Sequence, residues 1–270
     1  MTWSSPFTSH RSVQVGAVDT HVAECGEGAP VLLLHGNPDT HSVWSSTVAL
    51  LPGYRCLAPD LPGFGASRAP ANFDLSLDNQ GEFVRGVAAA LALDRFHLVV
   101  HDVGGAFGLA FATEHPERLL SLTTFNTLFF PDLHWHFWAR VWRTRVLGEI
   151  SLAVMNRALF ARELKRGSPN MPREYADHAY GELTPAMKKM VLRWYRAMDP
   201  EVWTGWDTRF LAATATIPKL TLWGDLDPFL PSSFADRFGG ETKHVADCGH
   251  WLMLERPELA ATAMRALFDR

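Results

Sequence analysis

Short, mainly apolar runs, at 31–34, 54–58, 96–100, 120–125 and 219–223, recur along the chain, and most are followed by a helix-like or turn-rich stretch. A strand that is apolar at every position must be covered on both faces. Parallel neighbours in turn need a crossover between them. The alternation therefore predicts an α/β fold, a mostly parallel sheet flanked by helices. Helices are expected at 77–91, at 104–115 ahead of Pro116, and at 257–268. Residues 12–15 and 20–24 around Gly16 instead predict an antiparallel hairpin.

Between Phe130 and about Ala213 the alternation stops, and the chain becomes rich in Trp, Arg and Met at helical spacing. The expected organisation is a core of residues 1–129 and 214–270, with a helical cap of residues 130–213 inserted between two strands. Within it, Trp135, Trp138 and Trp142 would occupy about two turns of one helix. They form either a packed helix face or, with His136, the wall of an apolar substrate pocket.

A length of 270 residues suffices for one large domain with a sizeable core. The formal net charge of −4, with Lys and Arg scattered, argues against a nucleic-acid partner. Cys25, Cys56 and Cys248 are an odd, widely spaced set, unlike a disulfide framework or a zinc site. A cytoplasmic setting without a membrane anchor is expected, since residues 1–6 lack the basic-then-apolar pattern of an export signal. Neither a cofactor nor a metal is expected: His134 and His136 stand two apart, a spacing that does not face one way on a helix.

The segment 98–108 carries the chemistry. A predicted strand ends at His101-Asp102, followed by Val103-Gly104-Gly105 and a helix. This is the pattern of a nucleophile elbow, a sharp strand-to-helix turn that lifts its central side chain above the sheet edge. Here that side chain is a carboxylate. Taken alone, Asp102 also fits an ordinary helix N-cap, and Val100 departs from the usual glycine two residues earlier.

Other residues fall where a nucleophile-acid-histidine hydrolase needs them, in that chain order. Asp225 and Asp227 follow the strand at 219–223; Asp227 is the preferred acid and Asp225 its competitor. His250, after Gly249, is the candidate base. The turn His35-Gly36-Asn37-Pro38 could set the Asn37 N–H beside that of Val103 as an oxyanion hole. Residues 60–67 have too few correctly spaced glycines for a phosphate loop and are expected to form a turn near the site entrance.

From His35-Gly36-Asn37-Pro38 through residues 60–67 and the elbow to Gly249-His250-Trp251, the chain resembles the α/β-hydrolase family. The elbow His101-Asp102-Val103-Gly104-Gly105 is similar to the branch with an aspartate nucleophile, which includes epoxide hydrolases and haloalkane and haloacetate dehalogenases. The resemblance implies that Asp102 attacks an electrophilic sp3 carbon of a small apolar substrate to form an alkyl ester. Water activated by His250 would hydrolyse that ester while Asp227 orients the imidazole.

The leaving group distinguishes these activities. Arg193-Trp194-Tyr195-Arg196 resembles the epoxide-hydrolase segment that supplies a ring-opening tyrosine, which implies that role for Tyr195. A second cap tyrosine is missing near Val141 and Trp142; His134, His136, Tyr175 and Tyr180 are the substitutes. Haloalkane dehalogenases usually carry tryptophan after the nucleophile, where this chain has Val103, although Asn37 matches a halide-binding asparagine. Haloacetate dehalogenases place arginines after the nucleophile, which are absent here. The expected function is epoxide hydrolysis, with haloalkane dehalogenation as the alternative and a non-catalytic ligand receptor as the reading from a different class.

Overall fold

The computed structural model describes residues 3–270. Eight strands form one sheet: β1 (Ser9–Val15), β2 (Val18–Cys25), β3 (Ala29–Leu34), β4 (Tyr54–Pro59), β5 (Phe96–Asp102), β6 (Leu119–Thr127), β7 (Lys219–Gly224) and β8 (Glu241–Val245). Their spatial order is β1-β2-β4-β3-β5-β6-β7-β8. The hairpin β1-β2 turns at Gly16 (φ +54°) and pairs antiparallel with β4, and every pairing from β4 through β8 is parallel.

Successive residues of a strand point to opposite faces, and the core divides accordingly. Leu32, Leu34, Leu98 and Val100 join one buried cluster, with Phe83, Val84 and Phe107 from helices Leu77–Ala90 and Gly104–Glu114. Val31, Leu33 and Val99 join the other, with Met264 and Leu267 from helix Pro257–Phe268. These central, largely apolar strands are thus covered on both sides. The first helix begins at the Ser76 cap, whose hydroxyl accepts from the Asn79 N–H.

Six helices lie between β6 and β7: Phe137–Arg143, Leu147–Ala153, Arg157–Gly167, Arg173–Glu182, Pro185–Ala197 and Trp206–Ala213. The fifth starts at Thr184, which caps the Met187 N–H, with Pro185 in the first turn. Its buried Met187, Met190, Val191, Trp194 and Tyr195 recur at three- and four-residue steps, so one face is turned inward. The last packs against the core, with Arg209 paired to Glu114 and Phe210 5.8 Å from Phe129. Trp135 does not share a helix with Trp138 and Trp142. His136 caps that helix by accepting from the Ala139 N–H, so Trp135 stays outside and packs on Trp194, Tyr195 and Trp203. Among the described residues, no helix is long and apolar enough to cross a membrane.

Candidate active site

Asp102 closes β5 with φ +48°, a conformation that L-residues seldom adopt and that costs about 1–3 kcal/mol. Surrounding contacts hold it there. The Thr127 hydroxyl donates to the Asp102 carbonyl (2.7 Å), and the Asn37 N–H donates to Asp102 Oδ1 (2.8 Å). The neighbouring Val103 N–H also favours the charged form of this carboxylate. The turn tolerates no larger neighbour: a Cβ on Gly104 would lie 2.5 Å from the His35 carbonyl oxygen, and one on Gly36 would strike the Asp102 side chain.

His250 reaches the elbow from the loop after β8, where its N–H donates to the Gly167 carbonyl (2.8 Å). Nδ1 lies 2.7 Å from Asp227 Oδ2, and Nε2 lies 3.6 Å from Asp102 Oδ2. A carboxylate only accepts, so Nδ1 carries a proton for Asp227, while Nε2 faces Asp102 beyond hydrogen-bond range. Asp227 is fixed in turn. Its Oδ1 accepts from the N–H groups of Phe229 (2.7 Å) and Leu230 (3.2 Å), and its Oδ2 accepts from Asn126 Nδ2 (2.8 Å). Asp225 points elsewhere and meets His244 at 2.6 Å.

The charges balance against burial. Burial disfavours an imidazolium at His250, but Asp227, Asp102 and Asp39 outweigh it and raise the pKa above the ordinary histidine value. Burial raises the Asp102 carboxyl, opposed by His250 and the N–H groups of Asn37 and Val103. Asp39 is a second buried carboxylate behind the site. It accepts from the Tyr175 hydroxyl (2.5 Å) and from Trp251 Nε1 (2.8 Å), yet burial still lifts it to about 6.

A cavity above Asp102 is lined by Asn37, His136, Trp138, Trp142, Tyr195 and His250, with further apolar side chains from the helices between β6 and β7. Tyr195 is buried and packed edge-on against Trp135 and Trp194, with Trp142 tilted beside it at 5.0 Å. Burial and the nearby Asp102 raise its phenol well above the ordinary tyrosine value, opposed by the polar Asn37 side chain beside it. The hydroxyl therefore stays protonated.

Asn37, Asp102, His136, Trp138, Trp142, Tyr195 and His250 line one cavity, with Asp227 behind it on His250, whereas Asp225, His134, Tyr175 and Tyr180 do not line it. Their polar groups are used unequally. The Trp138 indole N–H donates to Glu163 (2.9 Å), whereas the buried Trp142 indole N–H has no partner in the protein. Tyr175 is committed to Asp39, and Tyr180 donates to the Met155 carbonyl (3.4 Å). His134 is exposed. His136 lines the cavity, and burial drops it to about 4, so it is neutral. Its Nδ1 accepts from the Ala139 N–H (3.3 Å), which leaves the proton on Nε2.

Sequence reasoning missed Asn126 and Asp39. Asn126 is the penultimate residue of β6 beside the elbow strand, and since β6 already carries Ser121, Thr123 and Thr124, a further polar residue gave no signal. Its Oδ1 accepts from the Gly224 N–H (2.9 Å), bracing the turn that carries Asp227. Asp39 sits in the turn after β3, where Gly-Asn-Pro dominates the pattern.

A mostly parallel sheet with a carboxylate on an elbow, a histidine and a second carboxylate at its carboxyl edge defines the α/β hydrolase architecture. The model of the alpha/beta hydrolase fold family matches residues 29–257, and the chain belongs to that family. A haloalkane dehalogenase of Agrobacterium fabrum is 33% identical over 180 residues, covering 64% of this chain and 59% of that protein. The chain thus spans less than two thirds of that relative's length. Among solved structures, the epoxide hydrolase CorEH superposes with a TM-score of 0.81 at 19% identity, covering 97% of this chain and 98% of that one. A haloalkane dehalogenase DbeA-M1 loop variant from Bradyrhizobium elkanii gives 0.80 at 24% identity, covering 97% and 96%. At these identities the superpositions speak to the fold alone.

Proposed function

We propose that the protein is a cytoplasmic hydrolase that opens small apolar epoxides to diols through an alkyl ester on Asp102, with residues 130–213 as the cap. The observation that carries this reading is the buried, protonated Tyr195 hydroxyl on the cavity that Asp102 floors. An opening epoxide needs a proton at its oxygen, and a neutral phenol there supplies one.

Asp102 Oδ2, the oxygen that Asn37 does not hold, attacks a ring carbon. The carbon–oxygen bond breaks and the oxygen takes the Tyr195 proton. His136 Nε2 is the second donor, in place of a second cap tyrosine. His250 then removes a proton from water, whose oxygen attacks Asp102 Cγ while the N–H groups of Asn37 and Val103 hold the oxyanion. The intermediate collapses, the leaving alkoxide takes the proton from His250, and the diol departs. Asp102, left as a carboxylic acid, returns its proton to the Tyr195 phenolate.

The unpartnered Trp142 N–H on the cavity wall favours one second reading, haloalkane dehalogenation on the same Asp102, since an indole N–H is a weak donor suited to a halide. Product analysis on a mixed panel of terminal epoxides and 1-haloalkanes tests the choice. Diol formation is expected from the epoxides. Halide release with no diol from any epoxide would replace the first reading with the second.

A further inference from the structure

We propose that His10, His21 and His41 form a binding site for a divalent transition ion of the zinc class, separate from the catalytic cavity. The three come from different elements, His10 on β1, His21 on β2 and His41 in the turn after β3, so no sequence spacing announces them. Their ring centroids lie 4.8 Å (His21–His41), 5.3 Å (His10–His21) and 5.5 Å (His10–His41) apart. Three imidazoles on one tetrahedral ion, at Zn–N lengths of about 2.0–2.1 Å, would place their centroids about 5 Å apart. His10 Nδ1 already approaches His21 Nε2 to 3.1 Å, close to the spacing of about 3.3 Å that two nitrogens on such an ion require.

The ring nitrogens are set for this use by Asp60. That carboxylate is fully buried and receives the Nδ1 atoms of both His21 and His41, each at 2.9 Å. The backbone N–H groups of His41 (2.8 Å) and Ala66 (2.9 Å) complete its four acceptor positions. Because the carboxylate only accepts, both histidines carry their proton on Nδ1; the His21 Nε2 lone pair accepts from His10 Nδ1–H, and an ion would take that proton's place, with His10 then protonated on Nε2. A carboxylate behind a metal-ligating imidazole is the usual outer partner at such sites, where it fixes the tautomer and raises ligand basicity. His10 is exposed, so the ion has an entry path and a position open to water. Imidazole donors select zinc, copper or nickel over magnesium or calcium.

The site adjoins the joint between the sheet and the helical insertion. Thr40 and Ser42, flanking His41, both donate to Glu182 on helix Arg173–Glu182, at 2.6 and 3.0 Å. Glu182 adds negative charge near the ion. An ion tying His10 and His21 to His41 would therefore brace the turn that holds this helix, and binding only to the folded chain raises its stability.

The test is Zn2+ titration of tag-free protein against a chromophoric chelator, with Co2+ absorption as a second readout. One Zn2+ per chain is expected, with the intense visible bands of tetrahedral Co2+ and a Zn2+-dependent rise in Tm. His10→Ala, at an exposed position on an edge strand, should weaken binding by at least about tenfold, as should His41→Gln. His134→Ala, another exposed histidine, should bind as wild type does. Absence of stoichiometric binding, or equal affinity in wild type and His10→Ala, would overturn the proposal and leave the imidazoles as hydrogen-bond partners of Asp60 and of one another.

Discussion

His250 Nε2 stands 3.6 Å from Asp102 Oδ2, beyond hydrogen-bond range, while its Nδ1 is held at 2.7 Å by Asp227. In the proposed mechanism an aspartate nucleophile needs no base to activate it, and the imidazole would serve instead the carboxylate's ester, so the two steps would fall to two residues.

That separation predicts a trapped intermediate. His250→Gln should leave alkylation of Asp102 intact and slow ester hydrolysis, so the adduct accumulates. Intact-protein and peptide mass spectrometry after substrate addition should place one substrate mass on Asp102. Asp102→Ala should show neither adduct nor product. Turnover by wild type with no adduct in His250→Gln would count against the covalent route.

The acid can be assigned by a paired comparison. Asp227→Asn removes the charge that holds Nδ1–H and supports the imidazolium, so kcat should fall by roughly 10³–10⁴-fold. Asp225→Asn loses only a contact with His244 at a half-exposed position and should stay within a few-fold of wild type. Equal losses would leave the acid unassigned.

The apolar character of residues 31–34, 96–100 and 219–223 was enough to place the sheet, because a strand covered on both faces is mostly apolar, with the occasional buried polar residue such as His97 or Thr221. The elbow was legible for the same local reason, a strand end joined to Gly104-Gly105. What the sequence withheld were relationships made only in three dimensions. Nothing near His136 says that the Ala139 N–H occupies its Nδ1, and nothing near Trp138 says that Glu163 accepts from its indole N–H. Asn126 and Asp227 are 101 positions apart and meet only because β6 and β7 are neighbours. The trio around Asp60 was hidden likewise, its members drawn from a hairpin and a separate turn.

Asp39 makes stability depend on pH. Its folded pKa of about 6 lies above the unfolded carboxylate value of about 3.9, so the folded state favours the protonated form. The stabilisation is complete below the unfolded pKa and is lost as pH rises through about 6. Asp39→Asn cannot ionise. Its Tm relative to wild type should therefore be more favourable at pH 8 than at pH 4, by a few °C. Parallel Tm profiles for the two proteins across that range would show that Asp39 does not titrate there.

The leaving group is tested by removing its donors one at a time. Tyr195→Phe keeps the ring and its packing against Trp135, Trp142 and Trp194 but removes the hydroxyl, so single-turnover alkylation by an aryl epoxide should slow roughly 10²–10⁴-fold. His136→Phe removes the Nε2–H along with the cap on Ala139, so its loss of rate must be read against a Tm measurement; a smaller slowing, with folding retained, is expected if it is the second donor. Alkylation by a 1-bromoalkane needs no proton at the leaving atom and should fall far less in both variants. The ratio of the two rates is therefore the informative quantity, because a merely structural defect would lower both reactions together. An epoxide rate unchanged in Tyr195→Phe would remove the phenol from the mechanism and, with it, the main support for epoxide opening.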